Sequence, residues 1–320
     1  MSMIVNAVFT TKVEPAYDDL PEVRYHFPKT YLNQVEAALD NWIVYYEPRR
    51  STADLSSSGG RSAYFAVARV QSITQDAFQA DHFYAHMVDY LEFSRPVPFN
   101  EGGHYYEAAL RKADGSTNKG AFRRAVRNLR PHEFEAIFAA GFARIIGRDP
   151  LERSEPDRVP NSQPNFLLAA DNPAPAFEHE LPAVPARRIE TKLVSRPFRD
   201  RAFASAVMTA YGDRCALTGL QIIDQGGRSE AEAAHVRSVA QDGPDSIRNG
   251  IAVSRTVHWM FDAGLLSIAD DYTILIAKRI VPDILQDLPP LRAKLTVPAR
   301  ADLRPHPSYL RFHRENIFEG

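Results

Sequence analysis

The sequence of 320 residues is poor in cysteine and in long apolar runs. Its one cysteine, Cys215, excludes an intramolecular disulfide and any zinc site built from several cysteines. No apolar run approaches the roughly 20 residues that a membrane-spanning helix needs. The first residues lack a basic stretch followed by an apolar core, so we predict no secretory signal and expect a cytoplasmic protein.

The chain also lacks an excess of basic charge, since it has 38 lysines and arginines and 40 acidic residues. This balance argues against nonspecific coating of a nucleic acid, although a local basic patch can still contact phosphates. A predicted helix over 121–129 and its continuation place Arg123, Arg127 and Arg130 on one face, because their spacing is that of successive helical turns. These arginines are candidate DNA phosphate contacts, and the alternative is a solvated helix face. A second group of arginines comprises Arg187, Arg188, Arg196, Arg199 and Arg201.

A proline-rich segment divides the chain. Residues 150–190 contain eight prolines and show little hydrophobic periodicity, which is typical of an extended linker. We therefore predict an N-terminal domain over 1–149, a linker over 150–195 and a C-terminal domain over 196–320. Each domain has a usual size for a folded unit.

The N-terminal domain is predicted to be mostly β. β-branched and aromatic residues favour strands over 41–46 and 62–70, while 82–91 fits either a strand or a helix. Pro96 and Pro98 favour an extended edge segment over 93–99. Short helices are predicted over 30–38, 121–129 and 132–146, with Pro131 at the start of the last.

A triplet of His235, Asn249 and His258 suits a phosphodiesterase site with one metal ion. One histidine can take a proton from water, since a free imidazole has a pKa of about 6.5, and the other can bind a divalent cation. The local sequence predicts a strand running into a turn over 215–219, a second strand over 229–236 and a helix over 256–263. His235 then lies on a strand and His258 on the helix. The alternatives are a core histidine at 235 and a plain Asn-Gly turn at 249.

The segments AAH at 233–235, NG at 249–250 and FDAGLL at 261–266, with His258 between them, resemble the HNH nuclease family of the ββα-metal fold. The resemblance covers residues 198–280 and the tail at 306–318. It implies that His235 is the general base, that Asn249 binds backbone across the loop to orient this histidine, and that His258 binds the metal. The ion implied is Mg²⁺, or Mn²⁺ in its place.

The set of metal ligands departs from the family pattern. Many family members have an aspartate or histidine directly before the base, where this chain has Ala234. Asp262 lies one helical turn after His258 and is a candidate second ligand, the alternative being a cap or salt bridge. Glu232 is a possible replacement, but strand alternation places it on the opposite face from His235. His306 and His313 are expected to be packing or surface residues.

Four aromatic segments of the N-terminal domain resemble the PUA superfamily, which includes EVE and SRA-like modules. They are YHFPKTYL, NWIVYYEPRR, RSAYFAVARV and YLEFSRPVPF, within residues 20–146. The resemblance implies a β-barrel-like domain that accepts a flipped, modified base in an aromatic pocket. We expect Tyr31, Trp42 and Tyr46 to form this pocket, although one strand face must also supply the core.

Together these resemblances predict an α+β protein in which a PUA-like barrel with flanking helices precedes a ββα-metal nuclease domain. The implied activity is a modification-dependent restriction endonuclease, of the kind used in phage defence, that acts on double-stranded DNA carrying 5-methyl or 5-hydroxymethylcytosine. Because one site cleaves one strand, a double-strand break implies a homodimer or two sequential nicks. The alternatives are an HNH nuclease that does not depend on modification and a nucleic-acid-binding module with a degenerate nuclease domain.

Overall fold

The computed structural model describes residues 5–11, 20–48, 62–147, 186–278 and 290–320. Within these ranges the chain is a mixed α+β protein. A curled half-barrel sheet of six strands, in the order β2-β5-β4-β3-β1-β8, forms the N-terminal part. Its strands are β1 (Asn6–Thr10), β2 (Arg24–Pro28), β3 (Trp42–Glu47), β4 (Ala63–Gln75), β5 (His82–Pro98) and β8 (Val126–Leu129). β1 and β3 are parallel, and the other neighbours are antiparallel.

Smaller elements surround this sheet. A short hairpin of β6 (Asn100–Glu101) and β7 (His104–Tyr105) follows β5. The helices are α1 (Leu32–Ala37), α2 (Lys119–Phe122), α3 (Pro131–Gly141) and α4 (Ala143–Ile146). Pro131 begins α3, as the sequence predicted, because its missing N–H would have no helical partner at that position. The segment 82–91, which was ambiguous, is a strand continuous with 93–98.

Both faces of the sheet are buried. Successive side chains of a strand point to opposite faces, so one strand contributes to both clusters. Trp42, Val44 and Tyr46 pack in a cluster with α3 and α4. Ile43 and Tyr45 pack in a second cluster on the other face. All six residues of β3 are buried, so this strand is the centre of the N-terminal core.

The helix predicted over 121–129 is wrong. Helix α2 ends at Phe122, and Val126–Leu129 forms strand β8, which pairs antiparallel with β1. Asn118 caps α2 by accepting a hydrogen bond from the backbone N–H of Ala121. The pairing of β8 with β1 supplies backbone hydrogen bonds that outweigh the local helical pattern.

The C-terminal part is a ββα unit enclosed by further helices. Its elements are α5 (Ala186–Val194), α6 (Arg196–Tyr211), β9 (Ala231–His235), β10 (Gly250–Ser254), α7 (Arg255–Asp262), β11 (Leu266–Ile268), β12 (Ile274–Ile276) and α8 (Pro307–Asn316). Strands β9 and β10 form an antiparallel hairpin, with His235 opposite Gly250. α6 packs on one face through Phe203 and Val207. α7 packs on the other face together with Ala234.

Two sequence predictions for this unit need correction. Of the strand and turn predicted over 215–219, the structure has only the turn, in which the N–H of Gly219 donates to the carbonyl of Cys215. The second strand of the hairpin instead follows Asn249, at Gly250–Ser254, where the sequence predicted only the end of a loop. Gly250 leaves room for Val207 and Phe203 of α6, since a Cβ there would lie 2.5 Å from Val207.

The last residues of the predicted linker form a helix. α5 covers Ala186–Val194, and its Ile189 and Leu193 are buried in the cluster that contains Trp42. The earlier part of the linker, 150–185, lies outside the described residues. The division into domains therefore stays a prediction, while 186–194 are packed helix rather than extended connection.

A β-bulge in β5 joins the two parts of the chain. Between the pairs Val67–Leu91 and Arg69–Val88, β5 has one residue more than β4, and Asp89 there has φ of 56°. The bulge directs the carbonyls of Asp89 and Tyr90 toward α6, where Arg199 donates a 3.0 Å hydrogen bond to each. The N-terminal sheet thus contacts helix α6 of the C-terminal part directly.

Candidate active site

His235 lies at the end of β9 against helix α6. Its imidazole stacks on the ring of Phe203, with centroids 3.7 Å apart and an interplanar angle of 8°. Its Nε2 lies 3.0 Å from Oδ1 of Asp245, and 17% of the side chain remains exposed. The packing of Phe203 and the contact with Asp245 restrict the ring to one orientation.

Asp245 is a buried carboxylate with three partners. Besides His235 it accepts a 2.8 Å hydrogen bond from Nε of Arg199, and Arg196 lies 3.3 Å away. Burial alone would raise the pKa of Asp245, but the hydrogen bond with His235 and the charges of Arg199 and Arg196 hold this pKa below its usual value. The carboxylate is therefore ionised at neutral pH and accepts from Nε2–H of His235. That hydrogen bond leaves Nδ1 as the acceptor of the neutral ring.

Asn249 is fully buried and joins three backbone groups of the loop between β9 and β10. Its Oδ1 accepts from the N–H of Arg237 at 2.9 Å, and its Nδ2 donates to the carbonyls of Arg237 and Pro244, each at 2.9 Å. The side chain uses its acceptor and both donors on this loop. Asn249 thus fixes the backbone that follows His235 and precedes Asp245.

His258 lies on α7 between two carboxylates. Its Nδ1 is 2.7 Å from Oε1 of Glu232 on β9, and its Nε2 is 3.4 Å from Oδ2 of Asp262. Arg255 lies 3.9 Å from the second oxygen of Glu232. The two nitrogens of the ring thus have different neighbours, and Glu232 holds the ring from the side away from Asp262.

Strand alternation directs His235 and Glu232 to opposite faces of β9. His235 stacks on Phe203 of α6, and Glu232 contacts His258 of α7. Ala234, where many family members have a ligand, is 1% exposed and packs in the core with α7. In the part of the chain that the structure describes, no group of three histidine, cysteine or acidic residues converges as a metal site. The converging pair is His258 with Asp262.

The aromatic pocket expected from Tyr31, Trp42 and Tyr46 is not formed. Trp42 and Tyr46 are 4% and 1% exposed and lie in the core cluster on one face of the sheet. Tyr31 packs at the edge of the cluster on the opposite face, where its hydroxyl accepts from the N–H of Ala125. The sheet separates these side chains, so they cannot surround one base.

The set of phosphate contacts is also corrected. Arg127 is buried in strand β8 and forms a two-point ion pair with Glu107, at 2.7 and 2.8 Å. The hydroxyl of Tyr64 donates to the same carboxylate at 2.6 Å. Arg127 is therefore part of the core, while Arg123 and Arg130 are exposed, outside any common helix.

The two histidines near the C-terminus are packing residues, as expected. His313 is 2% exposed, stacks on Phe261 at 3.7 Å and contacts Ser267. His306 caps the start of α8 by accepting from the N–H of Ser308. Burial lowers the pKa of each to about 4, so both are neutral at physiological pH.

Asp245 and Arg199 are the residues of the site that the sequence did not identify. In the sequence, Arg199 is one of a group of arginines, and Asp245 stands in the polar loop QDGPDS without a motif. The one available signal was an acidic residue ten positions after a candidate catalytic histidine. Glu232 was considered as a metal ligand, whereas it contacts Nδ1 of His258.

Residues 215–269 match the HNH endonuclease family, so the chain contains an HNH endonuclease domain of a metal-dependent family. A "Modification dependent TagI restriction endonuclease" of known structure is similar at 15% identity and a TM-score of 0.31, over 88% of this chain and 64% of that one. The chain thus spans less than two thirds of that protein. No curated protein matches the chain. Among the described residues, no helix is long and apolar enough to cross a membrane.

Proposed function

We propose that the chain is a modification-dependent DNA endonuclease, in which the HNH domain hydrolyses a phosphodiester bond and the N-terminal domain detects a modified cytosine by base flipping. The observation that carries the nuclease part is the HNH match over 215–269, a range that contains His235, Asn249 and His258. The modification part rests on the resemblance of the N-terminal segments to base-binding modules.

In this proposal His235 is the general base. Its Nδ1 takes a proton from the attacking water, because Asp245 holds the opposite nitrogen as a donor. The ionised Asp245 also stabilises the imidazolium that forms, in the manner of the aspartate of a catalytic triad. Asn249 keeps the loop between these two residues in one conformation.

Nε2 of His258 and Oδ2 of Asp262 are the proposed metal ligands. A nitrogen and a carboxylate oxygen 3.4 Å apart suit a divalent cation, and Glu232 at Nδ1 is the carboxylate partner that metal-binding histidines usually have. Mg²⁺ or Mn²⁺ bound there would supply charge neutralisation at the scissile phosphate. The cation would complete its coordination with water and phosphate oxygens, as Mg²⁺ commonly does.

The test is cleavage of matched plasmids that carry unmodified, 5-methyl or 5-hydroxymethylcytosine, in Mg²⁺ and in Mn²⁺. We expect cutting of modified plasmid only, and its loss in His235→Ala. Equal cutting of all plasmids would leave an HNH nuclease without modification dependence. DNA binding without cutting, unchanged in His235→Ala, would identify a degenerate nuclease domain and contradict the proposal.

The products also report the proposed oligomeric state. A homodimer would bring two HNH sites to one DNA site, so linear product should appear without an accumulated nicked form. A monomer would release nicked circles first. Light scattering on the protein with and without modified duplex gives the mass independently.

A further inference from the structure

Strand β5 of the N-terminal sheet pairs directly with the loop that supports His235. The backbones of Leu91 and Asp245 form an isolated parallel β-bridge, next to the bulge at Asp89. Arg199 closes the same junction, because it donates to the carbonyl of Asp89 at 3.0 Å and to the carboxylate of Asp245 at 2.8 Å. The residue whose carboxylate contacts His235 is therefore held in place by the N-terminal sheet.

Glu92, which follows Leu91 in β5, adds side-chain contacts to this loop. Its Oε2 accepts a 3.1 Å hydrogen bond from the N–H of Ile247, and its Oε1 accepts a 3.4 Å hydrogen bond from the hydroxyl of Ser246. The hydroxyl of Tyr90 also donates to Oε1, at 3.1 Å. The side chain of Glu92 is only 5% exposed. Because buried polar groups are nearly always hydrogen-bonded, loss of this carboxylate would leave donors of the loop without an acceptor.

A short 3₁₀ helix lies between Glu92 and the residues that fix His235. It covers Ile247–Asn249, and Ser246 caps its start by accepting from a backbone N–H of its first turn. Asp245 directly precedes this cap, and the last residue of the helix is the buried asparagine that binds the loop backbone. A shift at the start of this helix would therefore move the aspartate and the asparagine together.

We propose that Glu92 is a positioning residue for the general base, so that the N-terminal sheet orients His235 through it. The inference rests on the proposed function, in which His235 takes a proton from water. Glu92 fixes the backbone that directly follows Asp245, and Asp245 in turn keeps the proton on Nε2 of His235. Without Glu92 the loop donors turn to other acceptors, and the neutral ring samples both of its tautomers.

The first measurement is single-turnover cleavage by the full chain, with enzyme in excess over the plasmid that wild type cuts fastest. Glu92→Gln preserves the size of the side chain but presents an amide N–H₂ group to one of the two loop donors. We expect the cleavage rate to fall about tenfold or more, because a buried donor then lacks an acceptor. DNA affinity in EDTA should stay within about threefold, since the variant affects the base rather than substrate binding.

A double variant separates positioning from independent damage to the fold. If Glu92 acts through Asp245, the variant with both Glu92→Gln and Asp245→Asn should cleave at the rate of Asp245→Asn alone, within about threefold. Independent effects would multiply, and the double variant would be slower by the whole effect of Glu92→Gln. Such multiplication would contradict the proposal.

Glu133 on α3 provides the matched control. It is a buried carboxylate, 7% exposed, that accepts from the backbone N–H groups of Ala108 and Arg130, each at 2.8 Å. Glu133→Gln alters the same kind of hydrogen bond elsewhere, so its cleavage rate should stay within about twofold of wild type. An equal loss of rate in Glu133→Gln and Glu92→Gln would overturn the proposal.

Thermal unfolding of each variant verifies the fold. If Glu92→Gln does not fold, Ser246→Ala takes its place, because it removes one of the loop donors to Glu92. We expect Ser246→Ala to lower the cleavage rate about threefold and to leave DNA affinity unchanged. A wild-type rate in a folded Ser246→Ala variant and in Glu92→Gln would exclude the role of Glu92.

The tautomer of His235 gives a readout that does not require nuclease activity. Nitrogen chemical shifts of labelled imidazole rings, measured at alkaline pH, distinguish a proton on Nε2 from one on Nδ1. The signals that disappear in His235→Ala assign the ring. We expect the Nε2–H form in wild type and signals averaged between the two forms in Glu92→Gln.

An unchanged Nε2–H form in Glu92→Gln would overturn the proposal. The same spectra separate this inference from the proposed function. If wild type cuts no DNA, the proposed function fails, yet a tautomer of His235 that depends on Glu92 would still establish the link between the sheet and this histidine.

Discussion

Asp245 accepts a hydrogen bond from His235 at 3.0 Å and lies 3% exposed beside two arginines. The proposed base thus has a fixed, ionised partner, supplied by the loop that Asn249 holds.

Replacing this partner should impair catalysis more than DNA binding. Asp245→Asn removes the charge that orients His235 and stabilises its protonated form, so we expect single-turnover cleavage to fall by about 100-fold or more. Affinity for substrate DNA in EDTA should stay within about threefold. The matched control is Asp242→Asn, an exposed position of the same loop. Equal cleavage by Asp245→Asn and wild type would contradict the role of Asp245.

The proposed metal ligands can be tested without measuring activity. Trp259 is 66% exposed and adjacent to His258, so it should sensitise the luminescence of Tb³⁺ bound at this site. We expect Asp262→Asn to weaken Tb³⁺ binding more than Glu232→Gln does, because Glu232 acts through the histidine ring. Asp213→Asn, distant in the chain from α7, serves as the control. Unchanged titrations in both variants would exclude this pair as the site.

Arg127 and Arg123 should behave differently when changed to glutamine. Arg127→Gln leaves Glu107 buried without its ion pair, and we expect a loss of about 3–5 kcal/mol in the free energy of unfolding. Arg123→Gln should leave stability unchanged. If Arg123 contacts phosphate, this substitution should reduce the number of counterions released on DNA binding, given by the slope of log K against log salt concentration, by about one. Chemical denaturation and anisotropy at several salt concentrations measure the two effects. A stable Arg127→Gln variant with a reduced salt slope would restore Arg127 as a phosphate contact.

Acid should destabilise the protein through His313. Burial lowers the pKa of this histidine to about 4 in the folded state, while an unfolded chain has about 6.5. The unfolded state binds more protons between these values, so stability is complete above pH 6.5 and falls as pH drops toward 4, by on the order of 3 kcal/mol. His313→Leu should flatten this slope in denaturation curves from pH 7 to 4.5. A slope equal to that of wild type would assign the acid sensitivity elsewhere.

Local signals allowed the sequence to predict part of the site. Gly264 and the Asn249-Gly250 pair mark the ends of elements through backbone preferences that need no distant partner, and they located α7 and the loop before it. Tyr46 and Trp42 were misassigned to a pocket, because alternation identifies two faces of a strand without indicating what covers each.

Long-range contacts account for most of the remaining differences. Strand β8 exists because it pairs with β1, from the opposite end of the N-terminal region, so its own residues do not specify it. The role of Asp245 likewise requires Arg199, which approaches from a different helix. Neither relationship has a fixed spacing in the sequence.

Arg199 makes the HNH domain difficult to fuse to another DNA-binding domain. Its guanidinium binds Asp245 on one side and two carbonyls of the β5 bulge on the other. A chimaera that joins α6 and the hairpin to a foreign DNA-binding module would leave this buried cation without these two carbonyl acceptors. The unit that can be exchanged between proteins is therefore the nuclease together with the bulged strand that supports it.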